Sequence, residues 1–343
     1  MPTSLQVAYR YSHTIGLYAQ IGRGFNNPVD IALGRNGVLY VLNRAGADTE
    51  VRMPYKRVTI CTVHEDYHGD FSSGGTADGQ IMWPVAIALD QEENIYISDE
   101  ALQRISIFNQ QGQFLGKWGV PGGGTGEFDR PAGIAFDQDG HLLVVDSRNN
   151  RVQRYTRDGQ FLGAWGHGGH GPGELYMPWG MALDQSGNVY IADWRNDRIQ
   201  KFDAQGQYLA SWGTPGQSNG EFRRPSGVAV DREGYIYVAD WGNERVQVLR
   251  PDGNWQATLR GEAGLSRWAK SYFVANQDEL EERQRANLEP PLELLPQDER
   301  REESASIEKL FWGPVSVKVD EQGRLYVVES CRHRLQVYCK HGS

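Results

Sequence analysis

Pro131-Ala-Gly-Ile-Ala-Phe-Asp137 and His141-Leu-Leu-Val-Val-Asp146 are joined by a Gln-Asp-Gly turn, and Arg151-Val-Gln-Arg-Tyr155 and Phe161-Leu-Gly-Ala-Trp165 follow them. These four short runs are rich in β-branched and aromatic residues and are separated by turns, most of which contain glycine. The pattern predicts an antiparallel meander of four strands, which we name a to d in chain order. Because similar units recur along the chain, we expect the meanders to pack around a common axis.

The spacing of the repeat defines the number of units. Strand a opens with a proline at Pro28, Pro84, Pro131, Pro178, Pro225 and Pro314. Strand c opens with an arginine at Arg57, Arg104, Arg151, Arg198, Arg245 and Arg334. Three successive units repeat every 47 residues, whereas unit one carries 9 extra residues before Arg57 and unit five 42 before Pro314. The sequence therefore predicts an all-β, six-bladed β-propeller formed as a single domain by residues 1–343.

Closure of the ring is predicted from the two ends of the chain. The last unit contains strands a to c but no fourth strand. Leu17–Gly22 is similar to Phe161–Gly166 and precedes Pro28, so we expect an N-terminal strand over these residues to complete the last blade. Such closure removes the exposed sheet edge of an open array.

The units resemble NHL repeats, as in Pro225-Ser-Gly-Val-Ala-Val-Asp231 and Tyr235-Ile-Tyr-Val-Ala-Asp240, and the resemblance covers nearly all of the chain except residues 261–312. It implies the propeller fold, and a top face that binds RNA or protein when the domain is part of a larger protein. The related peptide-amidating lyases hold zinc with channel histidines. That mechanism is not implied here, because the residues after the opening prolines are Val29, Val85, Ala132, Trp179, Ser226 and Val315.

Composition excludes several classes of protein. The formal net charge of -9 disfavours a nucleic-acid partner. Three cysteines do not make a disulfide framework. The sequence contains neither a signal peptide nor an apolar run long enough to span a bilayer, so we expect a soluble, cytoplasmic protein without a membrane partner.

The long insertion, residues 261–312, is predicted to be a helical lid on the top face, the face shared by the d-to-a exits and the b-to-c loops. Leu265, Trp268 and Tyr272 have helical spacing. Asn276 and Glu279 form a candidate capping box for a helix over 276–288, and a second helix is predicted over 304–311. The alternative is a solvated acidic loop.

Arginine and tryptophan side chains recur at positions that map to the top face. Guanidinium groups beside indole rings suit a carboxylate, a phosphate or a planar anion. The candidate ligand-binding residues are Arg44, Trp83, Arg148, Trp179, Trp194, Arg195, Trp241, Trp268, Tyr272, Trp312 and Arg332. For the tryptophans, packing between blades is the alternative role.

Two carboxylates break the repeat and are the candidate catalytic residues. Asp30 stands where the other units have Ala, Gly or Ser, and Glu100 replaces the Ser147, Trp194 and Trp241 of later units. Either could act as a general base. The Asp and Arg that recur five residues apart in the other blades, such as Asp146 and Arg151, are interpreted as architecture, because the pair repeats.

No cofactor is predicted, although a divalent metal, zinc or calcium, remains an alternative. His64 and His68 resemble a helical metal motif, but the repeat places them in the c-to-d turn and on the outer strand of blade one. His167 and His170 lie in a glycine-rich exit without an evident third ligand.

The resulting hypothesis is a site in a lidded funnel on the top face. Its ligand would be a small anionic or aromatic molecule or a peptide, with lyase or hydrolase turnover as an extension of binding. The competing hypothesis is a protein–protein interaction module that uses the same face. An enclosed pocket containing a carboxylate favours chemistry, and an open apolar rim favours a partner.

Overall fold

The computed structural model describes residues 8–46, 55–292 and 299–341. Most of the extra loop of blade one and part of the acidic stretch of the insertion lie outside these residues. Within them the chain forms six four-stranded antiparallel sheets, each with the strand order a, b, c, d. The six-bladed propeller predicted from the repeat is therefore confirmed.

The bounds of the strands follow the repeat closely. The inner strands a are Pro28–Leu33, Pro84–Leu89, Pro131–Phe136, Met181–Leu183, Pro225–Val230 and Pro314–Val319. The strands b are Val38–Asn43, Ile95–Asp99, Leu142–Asp146, Val189–Asp193, Ile236–Asp240 and Arg324–Glu329. The strands c are Arg57–Thr62, Arg104–Phe108, Arg151–Tyr155, Arg198–Phe202, Arg245–Leu249 and Arg334–His341. The outer strands d are Tyr67–Phe71, Phe114–Trp118, Phe161–Trp165, Tyr208–Trp212, Trp255–Leu259 and Ala8–Ile15.

Other regular structure is limited to short elements and the insertion. A two-residue parallel ladder joins Val120–Pro121 to Glu127–Phe128, and short 3₁₀ turns occur at Arg35–Gly37, Ser147–Asn149, Trp194–Asn196 and Trp241–Asn243. The helices are α1 (Arg267–Ala275), α2 (Gln277–Arg285) and α3 (Glu299–Ser306). None of the helices in the described ranges is long and apolar enough to cross a bilayer. The three cysteines are free thiols.

Backbone hydrogen bonds place the b-to-c loops and the d-to-a exits on one face, as the definition of the top face requires. The Ser147 N–H donates to the carbonyl of Arg130 (3.2 Å), and the Arg195 N–H donates to the carbonyl of Tyr176 (3.1 Å). Each loop is thereby tied to the exit that enters its own blade.

The acid that ends strand b is the centre of a repeated network. Asp146 is fully buried and accepts from the Asp129 N–H (2.7 Å), Asn149 Nδ2 (2.8 Å), Arg151 Nε (2.9 Å) and Gln153 Nε2 (3.1 Å). Burial raises the pKa of the Asp146 carboxyl despite these hydrogen bonds. Corresponding networks surround Asp193 and Asp240. Their repetition supports an architectural role for the Asp–Arg pairs.

An N-terminal strand closes the last blade, but the residues predicted for it were wrong. Ala8–Ile15 pairs antiparallel with Arg334–His341, whereas Leu17–Gly22 lies in the exit that leads to blade one. The distance to the next proline could have corrected the prediction. Gly166 precedes Pro178 by 12 residues, and it is Gly16, rather than Gly22, that precedes Pro28 by 12.

At the closing seam, a tryptophan of the insertion fills the space that an aromatic residue of an outer strand fills between other blades. Elsewhere a glycine of the c-to-d turn packs on the last aromatic residue of the preceding outer strand; a Cβ on Gly159 would lie 2.4 Å from the Trp118 ring. At the seam the corresponding residues are Glu65 and Ile15. Trp268 of α1 fills the space, is 2% exposed and donates from Nε1 to the Glu65 carbonyl (2.6 Å). Trp268 is therefore a core residue, which corrects its expected role as a ligand contact.

The buried Glu65 carboxylate also forms hydrogen bonds across the closing seam. It accepts from the Gly16 N–H (2.9 Å) and from the Arg267 N–H at the start of α1. Glu65 also has a left-handed φ of 62° where later blades have glycine. One side chain thus links blade one, the N-terminal strand and the insertion.

The helix boundaries in the insertion differ from the predicted ones. Ser266, not Asn276, caps a helix with its side chain, since its Oγ accepts from the Ala269 N–H (3.0 Å). The Glu279 carboxylate accepts from the Tyr272 hydroxyl (3.0 Å) instead of closing a capping box. The helix predicted over 304–311 is replaced by α3, which ends at Ser306.

We expect Trp268→Ala to lower the free energy of unfolding by about 3–5 kcal/mol, because it leaves a cavity in the closing seam. Tyr272→Ala is the matched control on α1, since Tyr272 is 45% exposed and should change stability by no more than about 0.5 kcal/mol. Urea denaturation measures both. Equal stability of the two variants would contradict the role of Trp268.

His333 makes the closing seam sensitive to pH. Its Nδ1 accepts from the Asn27 N–H (2.9 Å), so this nitrogen must be unprotonated. Burial lowers the pKa of His333 below the usual value of about 6.5, and burial likewise lowers the pKa of His13 on the closing strand. The unfolded chain therefore binds protons at a higher pH than the folded chain does.

The contribution of His333 to the free energy of unfolding should be at its maximum above about pH 6.5. It should decline as the pH falls below that value, because the unfolded chain then binds a proton that the folded chain does not. His333→Gln should reduce this decline, because glutamine keeps an acceptor and does not titrate; Gln103 accepts from the Arg130 N–H in the corresponding place (2.7 Å). Denaturation curves between pH 7.5 and 5 measure the difference between the two proteins. Parallel pH profiles would show that His333 is not a titrating group of the seam.

Candidate functional site

Asp30 lies in the central channel, where it links three blades. It is 4% exposed and accepts from the Ser316 hydroxyl (2.6 Å) and from the Ile87 N–H (3.0 Å). Its Oδ1 also pairs with Lys318 Nζ (3.2 Å). These partners come from blades six and two, so the carboxylate is engaged on both oxygens and holds the inner strands together.

The channel is too narrow for an organic ligand. The cavity between the inner strands has a volume of about 30 Å³, which leaves room for water but not for an organic ligand. The channel is narrow because the inner strands pack closely against each other at glycine residues. A Cβ on Gly133 would lie 2.6 Å from the Trp179 carbonyl oxygen, and a Cβ on Gly180 would lie 2.5 Å from the Ser226 carbonyl oxygen. None of the residues that line this cavity comes from the insertion. The predicted lidded funnel is therefore not centred on the channel.

Glu100, Arg44 and Trp83 form a cluster between blades one and two on the top face. Arg44 Nη2 donates to Glu100 Oε1 (2.6 Å), and the guanidinium lies 5.0 Å from the centre of the Trp83 ring. Glu100 is 5% exposed, and its Oε2 has no hydrogen-bond partner within the described ranges. Trp83 is 40% exposed. Three of the candidate residues therefore lie together, and the carboxylate among them is already paired with a cation.

A second cluster lies on blade four at the border with blade five. The guanidinium groups of Arg195 and Arg224 lie 4.9 Å and 5.2 Å from the centre of the same Trp194 ring. The Trp179 ring is 6.4 Å from Trp194 and half-buried at the channel mouth. Neither arginine forms an ion pair with an acidic residue in the part of the chain that the structure describes. The two guanidinium groups therefore share one aromatic ring, and the neighbouring Asp197 carboxylate accepts from the Arg224 backbone N–H (2.6 Å) without pairing with either of them.

Blade five presents the corresponding tryptophan, but the insertion covers it. Arg301 of α3 lies 5.5 Å from the centre of the Trp241 ring and pairs with Glu244 (2.7 Å). Gly242 and Gly313 stand where the preceding blade has Arg195 and Arg224. Trp241 is thus occupied by a residue of the same chain.

Blade six is covered in the same way. Arg332 lies 5.6 Å from the centre of the Trp312 ring and donates from Nη2 to the carbonyls of Ser304 (2.6 Å) and Ile307 (2.8 Å) at the end of α3. Burial lowers the pKa of Arg332. Arg332 therefore caps the carboxyl end of α3 and is not available to a ligand, which corrects its expected role.

The remaining predicted residues lie outside both clusters. Arg148 is exposed on the top face with Asp129 as its nearest acid (3.8 Å). Tyr272 is exposed on α1 and bonds only within the insertion. The insertion, as far as it is described, covers the rim of blades five and six and the seam with blade one. Arg300 Nε also donates to Gln217 Oε1 (3.3 Å) in the exit of blade four, but no described contact of the insertion reaches Trp194, Arg195 or Arg224.

One group of metal-ligating side chains converges among the described residues, and it does not fit a metal site well. It consists of Asp137, Asp139 and His141 in an a-to-b turn. The Arg154 guanidinium already pairs with Asp137 (2.6 Å) and Asp139 (3.0 Å). A cation at this point would have to displace an arginine.

Two site residues were missed because their partners are distant in sequence. Arg301 reaches Glu244 across 57 residues, and Lys318 reaches Asp30 across the ring closure. The sequence did contain a signal for Arg301. Gly242 and Gly313, at the blade beside the insertion, replace the arginines that the preceding blade has at the same two repeat positions.

Comparison with known proteins supports the fold. A family model of the SMP-30/gluconolactonase/LRE-like region matches residues 125–221, and the NHL repeat model matches residues 222–249 and 311–338. No curated protein matches the chain significantly by sequence.

Solved structures with similar folds cover the whole chain at low identity. A streptogramin B lyase is 11% identical, with a TM-score of 0.56 and 98% of each chain covered. A catalytically inactive virginiamycin B lyase from Staphylococcus aureus with quinupristin is 10% identical, with a TM-score of 0.57, over 97% of this chain and 99% of that chain. An auxiliary nutrient binding protein from Bacteroides thetaiotaomicron is 14% identical, with a TM-score of 0.62, over 98% of this chain and 77% of that chain. At these identities the likeness extends to the fold alone.

Asp30→Ala should lower the free energy of unfolding by about 3 kcal/mol, because it leaves Lys318 unpaired and removes the acceptor of a buried backbone N–H. Asp30→Asn, which keeps an acceptor, should lose less. Denaturation in urea distinguishes the two. If both variants unfold like the parent protein, Asp30 has no structural role and its catalytic candidacy is restored.

Proposed function

We propose that this chain, an NHL-repeat six-bladed β-propeller, is a binding protein whose top face takes a small anionic ligand with an aromatic or planar group. The site is the blade-four cluster of Trp194, Arg195, Arg224 and Trp179. The observation that carries the proposal is the pair of guanidinium groups on one indole without an acidic partner among the described residues.

Electrostatics favours an anion at this cluster. Arg195 and Arg224 both lie within about 5 Å of the same ring centre, so their charges repel each other. A carboxylate or phosphate between or beside them would offset that repulsion and would accept forked hydrogen bonds, which are stronger than hydrogen bonds between neutral groups. An anionic ligand is thus the simplest partner for the cluster.

The neighbouring blade supplies an internal comparison. Trp241 occupies the same repeat position as Trp194, but glycines replace both arginines and Arg301 is neutralised by Glu244. Blade five therefore balances its charge within the chain. Blade four has Asp197 at the position of Glu244, but its carboxylate accepts from the Arg224 backbone N–H (2.6 Å) and forms no ion pair with either guanidinium. The unpaired guanidinium groups of blade four therefore support an external ligand there.

The aromatic preference rests on the two indoles. Trp179 and Trp194 are inclined by 40° with ring centres 6.4 Å apart, and both are only half-buried. A planar ligand group can contact such rings while its anionic group meets the arginines. A peptide that presents an acidic side chain beside an aromatic one has the same chemistry.

Binding is better supported than turnover. A general base needs an accessible carboxylate, whereas both oxygens of Asp30 are engaged by Lys318, Ser316 and Ile87, and Glu100 is 5% exposed and paired with Arg44 through one oxygen. A lyase and a nutrient binding protein are both among the similar folds, so the fold itself is compatible with either role.

The proposal is tested by calorimetric titration with benzoate, acetate, inorganic phosphate and benzyltrimethylammonium. We expect benzoate to bind more tightly than acetate, because it adds a ring contact, and the cation not to bind. Arg195→Ala and Arg224→Ala should each weaken benzoate binding by about 10-fold or more, since each removes a charge-assisted interaction of about 1.5–3 kcal/mol.

Arg232→Ala is the matched control, because Arg232 is an exposed arginine of an a-to-b turn on the opposite face. It should bind benzoate like the parent protein. Benzoate affinity that survives the double substitution of Arg195 and Arg224 would overturn the assignment. Binding of acidic aromatic peptides but of none of the small anions would instead support the interaction-module hypothesis.

A further inference from the structure

Trp241 and Glu244 of blade five surround the guanidinium of Arg301, which belongs to α3. We propose that these two residues form a guanidinium-binding pocket of the propeller, that Arg301 fills it from within the chain, and that an arginine side chain of a peptide partner can compete for it. The pocket selects a cation, so it is distinct from the anion site on blade four and does not depend on it.

The geometry of the pocket matches a planar cation. Glu244 Oε1 accepts from Arg301 Nη1 (2.7 Å), and the guanidinium carbon lies 5.5 Å from the centre of the Trp241 ring. A guanidinium can make both contacts at once, because its face meets an aromatic ring while its N–H groups point to a carboxylate. An ammonium group lacks this flat shape, so the pocket should prefer arginine to lysine.

The propeller, and not α3, holds the carboxylate in position. Glu244 has a left-handed φ of 51° at the end of its b-to-c loop, where Asn150 and Asp197 have the same conformation in earlier blades. Its second oxygen accepts from the Gly313 N–H (2.6 Å), as those residues accept from the corresponding N–H groups. The carboxylate would therefore keep its place if α3 moved away.

Glu244 needs a cation. It is only 1% exposed, and removal of the partner of a buried charge leaves that charge uncompensated. Burial raises the pKa of Glu244, and Arg301 opposes this effect by favouring the ionised form. A pocket without Arg301 would thus gain stability from another guanidinium.

The contacts of α3 allow such an exchange. The Arg301 side chain is 54% exposed, so a competitor can approach it from solvent. Among residues 300–306 the fully buried side chain is Ser304, and no large apolar side chain of this segment is buried. Polar contacts such as Arg260 with Glu303 (2.7 Å) hold the helix. Arg332 adds hydrogen bonds to the Ser304 and Ile307 carbonyls at the carboxyl end of α3, and none of these contacts is an apolar anchor like the one that Trp268 gives α1.

The experiment uses Arg301→Ala and the probes N-acetyl-L-argininamide and N-acetyl-L-lysinamide. We expect the variant to bind the arginine probe at least about 10-fold more tightly than the parent protein does, because the internal competitor is gone. The lysine probe should bind several-fold more weakly than the arginine probe. Adding Glu244→Gln to the variant should abolish the difference between the two probes. Isothermal titration calorimetry measures all three.

Hydrogen exchange on the unmodified protein gives a second readout that does not depend on a variant. The arginine probe, and not the lysine probe, should accelerate amide exchange in residues 299–306. Arg285→Ala is the matched control, because Arg285 is an exposed arginine of α2 that pairs with Glu281 and Glu282 of the same helix. It should bind the probes like the parent protein.

Equal affinity of the parent protein and Arg301→Ala for the arginine probe would overturn the proposal. So would equal binding of the two probes, or exchange in α3 that neither probe changes. These results leave the anion site of blade four untouched, because benzoate binding depends on Arg195 and Arg224.

Discussion

Antiparallel pairing between Ala8–Ile15 and Arg334–His341 is the contact on which the rest of the structure depends. It joins the two ends of the chain in one blade and leaves no open edge in the ring. The seam carries an Ile where three other outer strands end in Trp, and Trp268 of the insertion packs in the same hydrophobic cluster as this Ile. Glu65 connects the three parts through hydrogen bonds. The insertion is consequently part of the scaffold at α1, even though it lies outside the repeat.

Closure of the ring also determines which part of the top face is accessible to a ligand. α1 is anchored at the seam, and α3 extends over the adjacent rim, where Arg301 and Arg332 engage Trp241 and the end of the helix. The rim of the neighbouring blade four keeps Arg195 and Arg224 on Trp194 without an ion-pair partner among the described residues. One face of a repeated scaffold thus carries two environments: a self-occupied cation pocket on blade five and an open cluster for anions on blade four. The difference arises from substitutions at a few repeat positions and from one insertion.

The fold could be read from the sequence because it depends on local and periodic features. The 47-residue period, the opening prolines and the turn glycines are all short-range signals, and they gave the number and order of strands correctly. The site was harder to predict. Arg44, Trp83 and Glu100 lie together, because Arg44 and Glu100 occupy the same repeat position on adjacent blades and Trp83 directly precedes strand a of the second blade. Trp268 and Arg332 did not follow expectation, because each makes a contact between the insertion and the propeller, and the insertion has no repeat to align with.

The sequence by itself determined the six blades, the buried Asp–Arg networks, the closure by an N-terminal strand and the tryptophan and arginine positions of the top face. Only the tertiary structure decided which of those side chains remain free. Asp30 looked like an isolated acid until Lys318 and Ser316 were placed beside it. Arg301 and Glu244 are 57 residues apart and meet only when α3 folds back on blade five. Repeat periodicity specifies the backbone, whereas the charge balance of a site depends on contacts between segments that no local pattern relates.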